Sequence, residues 1–314
     1  MSNTFTCVVF GGSGFLGQRL CKKLVEAEFR VRSVSRAGPP RGEAQPWWTS
    51  VEWISANLGT ENAAPALVGA DLVFHLASST YPSTSNVDAA FDVESNLVGC
   101  LRMLRAAIES QVKRIVFVSS GGTVYGVPRE NPIPETHPND PICSYGIHKL
   151  AVEKYLYLYR ALNHLDSIVL RVSNLYGEFQ NLDRPMGAVS HFVHRAVNGV
   201  PIEIWGDGTI RRDYVHVDDV VDALLKTIDY RGPEYVFNIG SGRSVSLNEL
   251  VDLIRRRVLN GVAVKYLPPR SFDVPENVLD TTRALRELGW SPAIDLETGL
   301  DRLIESAKFD LPPD

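Results

Sequence analysis

The sequence has little of what would mark a specialised class of protein. Only four of its 314 residues are cysteine, and Cys7, Cys21, Cys100 and Cys143 form no CxxC pair and no metal-ligand spacing. That spacing argues against a disulfide scaffold or a structural zinc site and suggests reduced, mostly buried thiols in a cytoplasmic protein. No apolar run is long enough to cross a bilayer, and the N-terminus enters a strand pattern without a signal-peptide layout, so no membrane association is expected. Positive charge is not in excess. Against 32 Lys and Arg stand 37 Asp and Glu, a net charge of −5, which argues against nucleic-acid binding. His191 and His194 lie three apart on a predicted helix, but no third ligand accompanies them, and no metal is expected. There is no internal repeat. What remains is a chain 44% hydrophobic and 22% charged, long enough for one large α/β domain or two lobes sharing a core.

Thr6-Cys7-Val8-Val9-Phe10 is a short apolar run of the kind found in buried parallel strands. Gly11-Gly12-Ser13-Gly14-Phe15-Leu16-Gly17 follows at once, and a helical pattern runs from Gln18 to Ala27. Glycines at 11, 14 and 17 between a strand and a helix allow a tight turn and close approach of backbone to a pyrophosphate. They also seat the phosphate on a helix N-terminus. Further strands are expected at Arg30 to Ser35, Val51 to Ile54, Asp71 to Ala77, Val116 to Ser120, Ser167 to Arg171, and from Val236. The second strand ends in Ser35-Arg36, where NAD-binding proteins usually carry an acid for the ribose hydroxyls. A hydroxyl and a guanidinium would instead bind a 2′-phosphate, so NADP is favoured over NAD. The alternative is an Arg36 that stacks on adenine or is solvated.

In Ser144-Tyr145-Gly146-Ile147-His148-Lys149, a helix would set Tyr145 and Lys149 on one face. A lysine ammonium beside a phenol favours the phenolate, which then takes a proton from a hydroxyl while hydride leaves the same carbon. This pair lies about 25 residues after Val116-Phe117-Val118-Ser119-Ser120 and about 130 after the glycine loop, an arrangement that resembles the short-chain dehydrogenase/reductase superfamily. The GxxGxxG spacing resembles its extended branch, and Ser119-Ser120-Gly121-Gly122-Thr123-Val124-Tyr125-Gly126 resembles the S-S-S-A-T-V-Y-G run of UDP-galactose 4-epimerases and related nucleotide-sugar enzymes. Asp71 to Ala77, Arg171 to Gly177, Trp205 to Val220 and Pro268 to Asp273 also resemble family patterns, so the likeness spans Thr6 to about Arg302.

The resemblance implies an α/β fold: a Rossmann-like doubly wound parallel sheet with a smaller discontinuous substrate-binding lobe. The dinucleotide-binding part would be 1–177 plus about 214–240, and the lobe 178–213 plus about 241–314. Gly11, Gly14, Phe15, Leu16 and Gly17 would hold the pyrophosphate, with Ser35 and Arg36 at the adenosine ribose and Asn57 and Leu58 at the adenine. Leu76, Ala77 and Ser78 would cover the pyrophosphate and nicotinamide ribose, and Asn96 would brace the strand carrying the active-site hydroxyls. His75 is read as a satisfied structural histidine. Tyr145 and Lys149 would be the catalytic pair, also touching cofactor. Asn174, Arg212, Arg270 and Asp273 would bind the nucleotide-diphosphate sugar, although Arg212 has an alternative in a salt bridge with Asp213 or Asp218. One departure stands out. The third serine of the run, the usual hydroxyl partner of the tyrosine, is Gly121, leaving Thr123, or less favourably Ser120, to supply the hydroxyl. Sugar 4,6-dehydratases carry Asp-Glu at Gly122-Thr123, so dehydration is disfavoured. The Pro-rich stretch Pro128 to Pro141, with Glu130 and Glu135, is expected near the substrate mouth. The function expected is a 4-epimerase of a UDP- or dTDP-hexose, in a homodimer serving polysaccharide biosynthesis. An NADPH-dependent reductase of a 4-keto sugar is the alternative, and a non-catalytic cofactor sensor is a third reading.

Overall fold

The computed structural model describes residues 5–40, 44–180, 187–258, 261–270 and 273–309. Six strands come in order: β1 (Thr6–Phe10), β2 (Arg30–Ser35), β3 (Val51–Ser55), β4 (Leu72–His75), β5 (Arg114–Ser120) and β6 (Asp166–Val172). With Val236–Ile239 they form a seven-stranded sheet, ordered Val236–Ile239, β6, β5, β4, β1, β2, β3. Every neighbouring pair is parallel. β1 is buried along its whole length because both faces of the sheet are covered. Its side chains alternate: Cys7 and Val9 join one core with Leu20, Leu24, Leu224, Phe237 and Trp290. Val8 and Phe10 join the other, with Val73, Met103, Leu104 and Leu156. The chain runs outward from β1 to β3, then returns to the opposite side of β1 for β4. The strand order reverses there, and the C-terminal ends of β1 and β4 open the crevice where doubly wound folds bind ligands.

The strands lie close to their expected positions. The first helix, Phe15–Glu26, starts three residues early, directly from the glycine loop. β4 ends at His75, freeing Leu76 to Ser78 as loop at the crevice. The helix containing Asn96 is interrupted: Ala89–Asp92 is α-helical, Val93–Val98 is a π-helical turn, and Gly99–Glu109 resumes the α-helix.

A third apolar cluster lies outside the sheet and includes Tyr176, Phe192, Ile202, Ile204, Tyr214, Leu250, Ile254, Leu300 and Leu303. Its helix Leu247–Arg255 begins with the expected capping box, Glu249 N–H to Ser246 Oγ at 3.1 Å and Ser246 N–H to Glu249 Oε2 at 2.8 Å. One stretch within 241–314 goes elsewhere: Ala284, Leu288 and Trp290 pack in the first core, with Trp290 Nε1 donating to Asp219 O at 2.9 Å. The 128–141 loop also differs from expectation. The Glu135 side chain is 5% exposed, accepts Asn238 N–H at 2.9 Å and lies 3.5 Å from Arg283, while Ile133 bridges to Leu279. The segment covers the open edge of the Val236–Ile239 strand, whose unpaired backbone groups need partners. Among the described residues no helix is long and apolar enough to cross a membrane.

Candidate active site

At the end of β1 the backbone is shaped for close approach. Gly11 has φ +87°, and a Cβ there would lie 2.9 Å from Ala77 N. A Cβ on Gly17 would lie 2.2 Å from Gly11 O, so the first helix turn packs directly on the loop. Gly14 caps that helix without a side-chain hydrogen bond, and no acid occupies the first turn. Its leading N–H groups and positive dipole end thus suit a pyrophosphate. Leu16 is buried, while Phe15 packs partly buried against the first core. Leu76 N–H donates to Phe10 O at 2.9 Å, and Ser78 Oγ to Thr80 O at 3.0 Å, which fixes the loop after β4. Ser35 Oγ accepts Ser13 N–H at 3.1 Å, so it braces the glycine loop, while Arg36 is exposed at the strand end. Asn57 Oδ1 accepts Gly59 N–H at 3.1 Å, and Leu58 packs on the second core.

Tyr145 and Lys149 lie in the first turns of the helix Ser144–Asn163. Cys143, at its N-cap, offers no side-chain hydrogen bond; the caps come from residues 58 and 60 positions away. Asn86 Oδ1 accepts Ser144 N–H at 2.8 Å and Ser85 Oγ accepts Tyr145 N–H at 3.0 Å. Lys149 is buried. Its Nζ donates to Val118 O of β5 at 2.9 Å and lies 5.6 Å from the Tyr145 ring centroid. Burial pushes the Lys149 ammonium down to about 8. The Tyr145 phenol is pushed up, first by burial and then by Cys143, Tyr81 and Asp92. This reverses the expected depression. The lysine is itself desolvated and bound to a carbonyl, and its charge does not outweigh the cost of burying a phenolate.

The hydroxyl loop follows β5. Ser119 is consumed by Glu153, which is bound in turn by Arg171 at 2.6 Å. Ser120 is half-buried. Thr123 Oγ1 is buried without a hydrogen-bond partner among the described residues. A Cβ on Gly121 would lie 2.5 and 3.0 Å from the two methyls of Leu279, so Leu279 fills the place of the missing serine side chain. Asn277 Nδ2 donates to Gly121 O at 3.1 Å.

On the other side, Asn174 Nδ2 donates to Asp213 O at 3.0 Å. Arg212 donates to Val274 O at 2.7 Å and lies 3.6 Å from Asp273, not paired with Asp213 or Asp218 as its alternative reading had it. Arg212 and Asp273 are therefore brought together, whereas Arg270 stacks on the Trp205 ring at 4.3 Å. Buried Asp213 accepts N–H groups of Ser241 at 2.7 Å, Gly242 at 3.2 Å and Leu279 at 3.2 Å.

Two other expectations change. Asn96 braces the loop after β4, not β5: its Oδ1 accepts Ser79 N–H at 2.7 Å and its Nδ2 donates to Thr80 Oγ1 at 3.0 Å. His75 is buried against Phe10 and Phe117, yet its Nδ1 has no partner among the described residues, and burial pushes it down to about 3, leaving the ring neutral. The reading from sequence passed over Asp92, although its spacing of four before Asn96 places both on one helical face. Among the described residues Glu178, His216 and Asp218 converge as metal ligands would. Arg19 binds both carboxylates, at 2.8 and 2.9 Å, and supplies the positive charge there.

The model of the NAD dependent epimerase/dehydratase family matches residues 7–240. The chain belongs to that family. A dTDP-4-dehydro-6-deoxyglucose reductase of Escherichia coli is 31% identical over 96% of this chain and 97% of its own. The structure of a UDP-glucose 4-epimerase from Thermotoga maritima, with UDP-glucose, superposes with a TM-score of 0.90 at 34% identity, covering 97% of this chain and 99% of that one. A Thermus thermophilus UDP-glucose 4-epimerase in complex with NAD also gives 0.90, at 27% identity, over 98% and 100%.

Proposed function

We propose that this chain is a nucleotide-sugar 4-epimerase that transiently oxidises C4 of a UDP- or dTDP-hexose with a bound nicotinamide cofactor. The observation that carries this is the Tyr145–Lys149 helix set against β5 and its hydroxyl loop, at the crevice where the strand order reverses. Gly11, Gly14, Phe15, Leu16 and Gly17 would hold the cofactor pyrophosphate, and Leu76 to Ser78 would lie along it. The nicotinamide, when bound, takes up a hydride and gives it back. Tyr145 takes the proton from the sugar O4, and Thr123, whose Oγ1 has no partner among the described residues, donates to or accepts from that oxygen. Lys149 holds positive charge near the phenol, and a cationic cofactor ring would add more and lower the barrier to the phenolate. Arg212, Arg270, Asp273 and Asn174 would grip the nucleotide diphosphate from the smaller lobe, 178–213 plus about 241–314. The match with a 4-epimerase and the Gly122-Thr123 pair, where dehydratases carry acids, both favour epimerisation.

NADP is the preferred cofactor on this reading, because Ser35 and the exposed Arg36 offer a hydroxyl and a guanidinium where an acid would repel a 2′-phosphate. The same feature, with the reductase relative, favours one-way reduction of a 4-keto sugar as the second reading. A homodimer is supported by the outer face of the catalytic helix, where Ile147, Tyr155, Leu158 and Leu162 fall within one helical face and are exposed. Incubation with UDP- and dTDP-hexoses without added cofactor, followed by NMR, tests the function. C4 epimer with no net change in reduced nicotinamide is expected. Stoichiometric oxidation of NADPH on a 4-keto sugar, with no epimer from any hexose, would select the reductase.

A further inference from the structure

Asp92 is fully buried, and its carboxylate joins three segments that the sequence keeps apart. One oxygen accepts from Thr80 Oγ1, in the loop after β4, and from Asn96 Nδ2 at 3.1 Å, in the π-helical turn. The other accepts from Ser144 Oγ at 2.7 Å and His148 Nδ1 at 2.9 Å, both in the first turns of the helix that carries Tyr145. The His148 ring meets the Tyr145 ring edge-on, with centroids 5.0 Å apart. A carboxylate buried this deeply is tolerable only with its lone pairs filled, and here four donors fill them beside the positive end of a helix. Losing one donor leaves a charge unsatisfied, so the arrangement resists small displacements of the helix start.

We propose that Asp92, acting with His148, is a positioning residue that sets the Tyr145 phenol and its proton affinity for the reaction. The proposal rests on the reading of Tyr145 as the proton-transfer residue. His148 cannot share the load as a cation: burial, then Lys149, pushes it down to about 4, so a neutral ring donates its Nδ1 proton to Asp92. Burial pushes Asp92 up, but the hydrogen bonds from Thr80, Ser144 and His148 together outweigh it and hold the carboxyl below the usual carboxylate range. Its negative charge therefore persists at neutral pH and opposes ionisation of Tyr145. The other titratable groups around this cluster are Tyr81 and Cys143, which also oppose ionisation, Lys149, and His75, which faces His148. Removing the Asp92 charge should thus lower the Tyr145 pKa while loosening its ring.

The test uses full-length protein with its bound cofactor, UDP-glucose as probe, and the variants Asp92→Asn, His148→Leu and His148→Asn. Asp92→Asn is expected to lower kcat roughly tenfold or more, the cost of a misplaced general base, with KM and cofactor content little changed. The rising limb of kcat against pH should move to lower pH. Titration of the tyrosinate absorbance, with Tyr145→Phe as the blank, should show the same displacement without any substrate. His148→Leu should lose rate, and His148→Asn, whose amide nitrogen replaces Nδ1 as donor, should recover most of it. A rate loss with an unmoved limb and an unmoved tyrosinate titration would make Asp92 purely structural and overturn the proposal. If Asp92→Asn does not fold, the His148 pair decides: equal rates for Leu and Asn overturn it. An active Tyr145→Phe would instead defeat the reading of the site, whereas an inactive Tyr145→Phe beside a wild-type Asp92→Asn would defeat only this proposal.

Discussion

The two ends of the crevice are built by different means. The proposed cofactor end is built mainly on one stretch, β1, the glycine loop and the first helix, with Ser35 and Ala77 packed against the loop. The proposed substrate end is assembled from distant segments. Arg212 meets Asp273, Gly121 meets Asn277 and Leu279, and Arg270 stacks on Trp205. Between them lies the helix Ser144–Asn163, proposed as catalytic, whose motif is local but whose caps and buried carboxylate are supplied from residues 80–96. The loop's geometry depends mostly on its own glycines, whereas an assembled site depends on several distant contacts at once.

The sharpest way to break this comparison is at the middle. Tyr145→Phe should lower turnover by about 10²–10⁴-fold, the usual effect of losing a general base, with cofactor still bound. Steady-state rates together with cofactor content by mass check it. A loss of cofactor in parallel would place Tyr145 in the cofactor end alone.

A smaller effect should separate the two arginines. Arg212 carries charge-assisted bonds worth roughly 1.5–3 kcal/mol each, whereas the Arg270–Trp205 contact is worth roughly 0.5–1 kcal/mol at a partly exposed site. Arg212→Ala should raise KM for a UDP-sugar more than Arg270→Ala does, with cofactor affinity unchanged in both. Equal effects would mean that the ion pair with Asp273 does not distinguish them.

Restoring the missing serine probes packing. In Gly121→Ser the new side chain meets Leu279, and overpacking of this kind costs about 1–3 kcal/mol. The midpoint of denaturant unfolding should fall, and pairing the change with Leu279→Ala should return part of the loss. An unchanged midpoint for the single variant would show that Leu279 can step aside.

Legibility followed the same division. β1, the glycine loop and the Tyr145–Lys149 spacing were visible in the sequence because each is set by neighbours within a few residues: a continuous apolar run, glycines where no Cβ fits, and a one-turn repeat. The capping box at Ser246 was legible for the same reason. The direction of the Tyr145 pKa was not, because burial, which the sequence does not display, outweighed the nearby lysine. Nor was the place of Glu135, whose partners Asn238 and Arg283 lie about a hundred residues or more away.

By itself the sequence determined the strand–loop–helix unit, the order of elements and the face shared by Tyr145 and Lys149, since short-range sterics and side-chain periodicity suffice for these. Only the tertiary structure decided what Gly121 is for, which carboxylate holds the catalytic helix, and how Arg212 and Arg270 differ. Those depend on which distant groups fill a volume or satisfy a buried charge, and desolvation acts on whatever the fold brings together.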